Sequence, residues 1–254
     1  MYNPYKPFLN SFFEIITDFK HSSKRVNKVL LDDVKKHTSK EAIYSAGTSL
    51  IIGDWTGPTD NGWKLSFHTG IDKFTVKENY KIEIEKILSR EFGLAFSQCY
   101  EAFETFLKDC IDSKIIRDPN FKQSLNFKNS YSRKELKGGD ELFKLIKKAS
   151  NNLFNEYSRE NNCNFKFKEL FKVYSEVRHS ITHSQRILTV SKIPKTPYYV
   201  GLFEHLFPNN KLEGETIEIK LNYEILNRNL IYFSEFAFQI FKILSQSESY
   251  EWKH

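Results

Sequence analysis

Three neighbouring residues, Arg178, His179 and His183, combine side chains suited to moving protons and holding anions. A histidine ring, with an ordinary pKa of about 6.5, takes or gives a proton near neutrality. An arginine stays charged and grips a phosphate through two parallel N–H bonds. His179 and His183 are also four apart, the spacing of two zinc ligands on one helix. Yet HSITH lacks the glutamate of HExxH, and no third ligand stands out, so no metal is assigned. Arg178 and His183 are five apart and diverge by about 140° around a helix. A helical bend or a second copy of the chain would have to bring them together.

A helix is the element that must position them. Within residues 165–188, FKFKELFKVYSEVRHSITHSQRIL, the apolar residues Phe167, Leu170, Phe171, Tyr174, Val177 and Ile181 recur every three or four positions. That is the period of a helix with one buried face. Residues 78–112 carry a longer stripe through Ile84, Ile87, Leu88, Phe92, Ala95, Cys99, Phe103, Phe106, Leu107 and Cys110, with Gly93 as a candidate kink. Its polar flank presents Ser97, Gln98, Glu101 and Glu104, and Glu101 is a candidate for supporting the site. A third stripe, from Leu226 to Leu244, closes residues 222–246 as a helix.

RHSITH between long helices resembles the R-x4-H signature of HEPN domains (higher eukaryotes and prokaryotes nucleotide-binding), over about residues 80–246. The resemblance implies a mainly α fold, a HEPN-like helical bundle that works as a homodimer. It also implies RNA cleavage without a metal, at a site to which both copies bring their Arg and His. On that pattern Arg178 is the phosphate anchor, His183 the proton-transfer residue, and His179 orients the pair or packs. A base takes the ribose 2′-hydroxyl proton, an acid supplies the leaving 5′-oxygen, and a cation steadies charge on phosphorus. The expected role is that of a toxin or anti-phage defence effector, with an antitoxin or defence-system protein as a further partner. Gln185 stands where some family toxins carry a tyrosine to which a partner enzyme attaches nucleotides, so that silencing route is not expected. The alternative is a non-catalytic helical module that binds RNA or a protein partner.

Composition agrees with a folded, nucleic-acid-facing protein. The chain has 254 residues, 40% hydrophobic and 15% aromatic, with 23 Phe and 13 Tyr, enough to bury a substantial core. The net charge of +6 is uneven: residues 114–150 and 161–200 are basic by +6 and +5, while 41–113 total −5. Basic character thus flanks the candidate helix, as a polyanion-binding face requires. Lys166, Lys168, Lys172 and Arg186 are the candidate RNA contacts. Cys99, Cys110 and Cys163 have no C-x2-C spacing and predict neither a disulfide framework nor a zinc ribbon. No apolar run reaches about 18 residues and no secretory leader is evident, so a cytoplasmic protein without a membrane segment is expected. No cofactor is implied.

In chain order, residues 1–76 are an N-terminal extension without assignment and 77–254 the HEPN-like domain. The extension predicts two helices, 8–19 and about 22–37. A β-hairpin excursion comes between 43 and 75, turning at Asn61-Gly62. Trp55, Trp63 and His68 are most simply hairpin packing. Asp118-Pro119-Asn120 ends the long helix, and 118–138 is a polar loop. A short helix is expected after Gly138-Gly139. YYVGLF and ETIEIKL read as short strands turning through Pro208-Asn209-Asn210.

Overall fold

A computed structural model describes residues 2–41, 45–54, 65–125, 131–160 and 165–253. The expected turn at Asn61-Gly62, and Trp55, Trp63 and Cys163, lie outside the described residues. The fold is mainly helical, with two small antiparallel sheets. Among the described residues the helices are α1 (Lys6–His37), α2 (Tyr80–Arg117), α3 (Pro119–Ser124), α4 (Gly139–Ala149), α5 (Leu153–Glu160), α6 (Phe167–His183), α7 (Pro197–Leu206) and α8 (Tyr223–Ser247). The strands are β1 (Ser45–Asp54), β2 (Leu65–Val76), β3 (Ile187–Thr189) and β4 (Thr216–Glu218). None of these helices is long and apolar enough to cross a membrane.

The chain forms two compact units, residues 1–25 with 89–254, and residues 26–88. A division at residue 76 was expected. The contacts instead join the first turns of α1 to the large unit and give the opening turns of α2 to the small one.

The large unit is closed around aromatic rings. Phe12 of α1 stacks on Phe106 of α2 at 5.7 Å between centroids, and Phe103 stacks on Phe236 of α8 at 5.2 Å. Tyr174 of α6 meets Phe233 at 4.5 Å and Phe96 at 5.5 Å. Many of the phenylalanines are therefore the meeting points of four helices, each ring burying a large apolar area. The polar tip of Tyr174 is satisfied within this core: its Oη donates to Asn229 Oδ1 at 2.8 Å, and Asn229 Nδ2 donates to the carbonyls of Ile225 and Leu206. Cys99 and Cys110 are buried thiols here, and burial pushes both far above the ordinary thiol pKa. They are inert packing groups.

The unit's outer corner is a polar clasp. Glu248, at the end of α8, accepts from Lys114 at 2.6 Å, Arg117 at 2.9 Å and Tyr5 at 3.0 Å. Asn3 donates to Ser245 Oγ beside it. Burial would raise the Glu248 pKa, but the bonds from Lys114 and Arg117 hold it below the ordinary carboxylate value.

The small unit holds the hairpin. β1 and β2 pair antiparallel, with Ser49 opposite Asp72 and Ile51 opposite His68, so the hairpin expected between 43 and 75 is present. Between those pairs a bulge runs through Gly70, whose φ of +72° suits glycine. Thr69 stabilises the bulge by donating to the Leu50 carbonyl at 2.8 Å.

Several elements differ from expectation. The first two helices are one, because α1 runs unbroken through Lys20-His21-Ser22. Asp118-Pro119 begins α3 as well as ending α2: Asp118 caps the Phe121 N–H at 2.9 Å and proline occupies the first turn, where no amide donor is needed. The segment after Gly138 is two helices, parted at Asn151, which takes a left-handed φ of 52°. YYVGLF is not a strand. Pro197 starts it as α7, and Leu202, Phe203 and Leu206 are buried on one face. The helix expected to reach Leu188 stops at His183, and Ile187–Thr189 pairs with Thr216–Glu218 as a strand. ETIEIKL supplies only that three-residue strand.

Candidate active site

α6 carries the three candidate residues because α2 lies antiparallel against it. Gly93 of α2 faces Ile181, Glu101 faces Arg178, and Tyr100 meets Phe171. A β-carbon on Gly93 would sit 3.4 Å from the Ile181 side chain. That is an ordinary contact distance, so the packing does not demand glycine at this position, and α2 continues through it as helix.

At this contact the side chains part company. Val177 and Ile181 are buried, while His179 and His183 emerge on the solvent side of α6 with ring centroids 4.9 Å apart. Arg178 turns the other way, toward α2, and pairs through Nη2 with Glu101 Oε1. Its Nε is buried without a hydrogen-bond partner. The 140° divergence thus has a physical outcome. Two imidazoles face water, and one guanidinium is tied to a half-exposed carboxylate on the neighbouring helix.

His183 is the last residue of α6, and the turn beyond it is firmly held. Gln185 and Arg186 take left-handed φ values of 50° and 70°, reversing the chain. The N–H groups of Ser184 and Arg186 both return to the Ser180 carbonyl. Arg186 then bonds Ser89 Oγ at 3.2 Å and Glu218 at 2.9 Å. Ser89 Oγ also accepts from the Leu221 N–H at 3.1 Å, so one hydroxyl joins α2 to both chain segments that flank the small β3–β4 sheet.

The candidate RNA contacts divide likewise. Arg186 is engaged in this turn, and Lys172 pairs with Glu176 at 2.6 Å. Lys166 and Lys168 are exposed at the start of α6, where the Lys166 ammonium sits 4.7 Å from the Tyr198 ring centre. Among the described residues no three of His, Cys, Asp and Glu gather as a metal-binding group.

The polar flank of α2 is also resolved into roles. Glu101 holds Arg178. Glu104, one turn on, caps α4 by accepting from the Gly139 N–H at 2.8 Å. It lies so near Gly138 that a β-carbon there would come within 2.6 Å of its Oε1. Ser97 Oγ is buried and unpartnered. Sequence reasoning missed the capping role of Glu104, and the signal for it was the glycine pair 34 positions later. His205 was passed over entirely; its Nε2 lies 3.0 Å from Tyr232 Oη. Burial, then the Arg228 charge, lowers the His205 pKa.

Compared with protein-family models, with curated proteins and with solved structures, the chain matches none.

Proposed function

We propose that this chain is a HEPN-like, metal-independent endoribonuclease whose site is completed across a homodimer, acting as a growth-restraining toxin or anti-phage effector. The observation that carries the reading is the side-by-side exposure of His179 and His183 beside an arginine of the same helix turn. An exposed imidazole accepts the 2′-hydroxyl proton as that oxygen attacks phosphorus. A second imidazole donates a proton to the departing 5′-oxygen, leaving a 2′,3′-cyclic phosphate and a 5′-hydroxyl. Arg178 supplies the phosphate anchor once an incoming phosphate displaces Glu101, a like-for-like exchange of one anion for another. Because Arg178 and His183 point apart within one chain, pairing with a second copy supplies the missing half.

The second reading, a helical module that binds without cutting, draws on a specific observation too. Arg178, Lys172 and Arg186 all hold acidic side chains of their own chain.

One experiment separates the two. Purified protein is incubated with labelled RNA in EDTA, beside His183→Ala. Cleavage that survives chelation, gives cyclic phosphate ends and falls by about 10²–10⁴-fold in the variant supports the nuclease. Cleavage restored only by zinc or magnesium, or unchanged in the variant, removes this site. RNA binding without any cleavage leaves the module.

A further inference from the structure

Two buried polar atoms where α2 packs on α6 have no hydrogen-bond partner: Ser97 Oγ and Arg178 Nε. One belongs to a hydroxyl that can accept, the other to an N–H that can only donate. A polar group buried without a bond bears the full penalty of its lost water. Ser97 is 4% exposed, so its hydroxyl lies out of reach of bulk solvent. Ser150, Ser180 and Ser245 are buried too, and each donates to a carbonyl three or four residues back, at 2.9, 2.7 and 2.7 Å. Ser97 Oγ makes no such bond.

Helical spacing sets Ser97 beside the arginine. Gly93 of α2 faces Ile181 of α6. Arg178 precedes Ile181 by three residues, about 4.5 Å along α6. On an antiparallel partner that level falls three residues after Gly93, one short of Ser97. Glu101 lies a turn further on, about 6 Å beyond Ser97, and the outstretched end of Arg178 reaches it through Nη2. Nε is nearer the backbone than Nη2, and so nearer the level of Ser97. Gly93, Ser97 and Glu101 are spaced by four, so they follow one another along the face of α2 that meets α6.

We propose that Ser97 is a positioning residue for Arg178: when a phosphate takes the place of Glu101, Ser97 Oγ accepts from Arg178 Nε and fixes the guanidinium toward the anion. Arg178 then has two settings. In the one seen here, Nη2 holds Glu101 and Nε holds nothing. In the other, Nε donates to Ser97, and the two terminal nitrogens form the fork that grips a phosphate. The second setting satisfies both orphaned atoms, which the pairing with Glu101 does not. The inference rests on the reading of Arg178 as the phosphate anchor, and it holds whether or not a bound RNA is cut.

The test needs no RNA. Inorganic phosphate is titrated into the full chain, its affinity is read by calorimetry, and the Arg178 Nε–H is followed by proton–nitrogen NMR, with Arg178→Lys identifying the signal. Phosphate moves that signal to lower field in the wild type. Ser97→Ala removes only an unpartnered hydroxyl, so it keeps the wild-type denaturation midpoint. It binds phosphate about tenfold more weakly, and the shift is lost. Glu101→Ala shows the shifted signal before any phosphate is added, and combining it with Ser97→Ala abolishes that shift. A Ser97→Ala protein that is less stable yet binds phosphate like wild type would mean a packing role and would overturn the proposal. So would an Arg178 signal that phosphate and Glu101→Ala both leave unmoved. RNA cleavage is scored separately. A chain that cuts nothing but shows the Ser97-dependent shift keeps this inference and loses the nuclease. A chain that cuts RNA without the shift, and equally well as Ser97→Ala, keeps the nuclease and loses the inference.

Discussion

The helical core of the large unit and the hairpin of the small one treat the same kind of side chain in opposite ways, although the helical part of the small unit buries Val34, Tyr80, Ile84 and Leu88. In the unit of residues 1–25 and 89–254, Phe12, Phe96, Phe103, Phe171 and Phe233 are all buried, each touching rings from other helices. In residues 26–88, Leu50, Ile51, Ile52, Phe67, Ile71 and Phe74 are all exposed. Composition does not separate them; layering does. A helix stripe is buried when other stripes close over it, and here α1, α2, α6 and α8 do so. A two-stranded sheet has two faces and two edges to cover, and one hairpin cannot cover its own. The large unit closes its helical stripes on one another, while the hairpin leaves its apolar side chains exposed.

That contrast is most sharply broken by truncating a ring in each. Phe103→Ala removes a fully buried side chain stacked between α2 and α8, and its expected cost is about 3–5 kcal/mol in denaturant unfolding. Phe74→Ala, measured at protein concentrations that keep the chain monomeric, is expected within about 0.5 kcal/mol of wild type. Equal losses would show that the hairpin ring is packed like the core rings.

The clasp sharpens the comparison through pH, because it belongs to the closed unit alone. Glu248 has a folded pKa below its unfolded value, so its contribution is fully present above the unfolded carboxylate value of about 4.3. It is lost as pH falls through the folded value. Glu248→Gln is expected to lower stability at pH 7 by about 1–3 kcal/mol and to flatten the acid limb of the stability–pH curve. A variant whose acid limb matches wild type would remove Glu248 from that role.

A more local effect concerns the cap of α4. Gly138→Ala pushes on Glu104 Oε1, and the carboxylate yields by leaving the Gly139 N–H. The expected cost is about 1 kcal/mol, the usual worth of a helix N-terminal cap. Glu104→Gln combined with Gly138→Ala should cost little more than the second change alone, since both act on one hydrogen bond.

How much the sequence disclosed depends on the range over which its signals act. The stripes of α2, α6 and α8 repeat every turn over many turns, so their helices were legible along with most of their buried residues. Asp118-Pro119 is a two-residue signal that ends one helix and caps the next, and only the ending was read. YYVGLF has the β-branched and aromatic composition of a strand, but Pro197 at its start and the burial of Leu202, Phe203 and Leu206 settle it as a helix. At the candidate site, the divergence of Arg178 from His183 came directly from helical geometry. Its consequence, the pairing of Arg178 with Glu101, joins residues 77 positions apart and depends on how α2 packs on α6. Glu101 was named as a candidate because it lay on the polar flank, and tertiary packing alone gives it a partner.

Ser89, with its single hydroxyl bonded to Arg186 and to the Leu221 amide, has a consequence for how His183 can move. Helix ends ordinarily fray, and a side chain on a fraying turn searches backbone as well as rotamer space. Here the turn after His183 is pinned at Ser180, Ser89 and Glu218, so the ring is left with little more than rotation about its own two side-chain torsions. The backbone share of the entropy of placing that imidazole is spent when the chain folds, and what remains free is its rotamer choice.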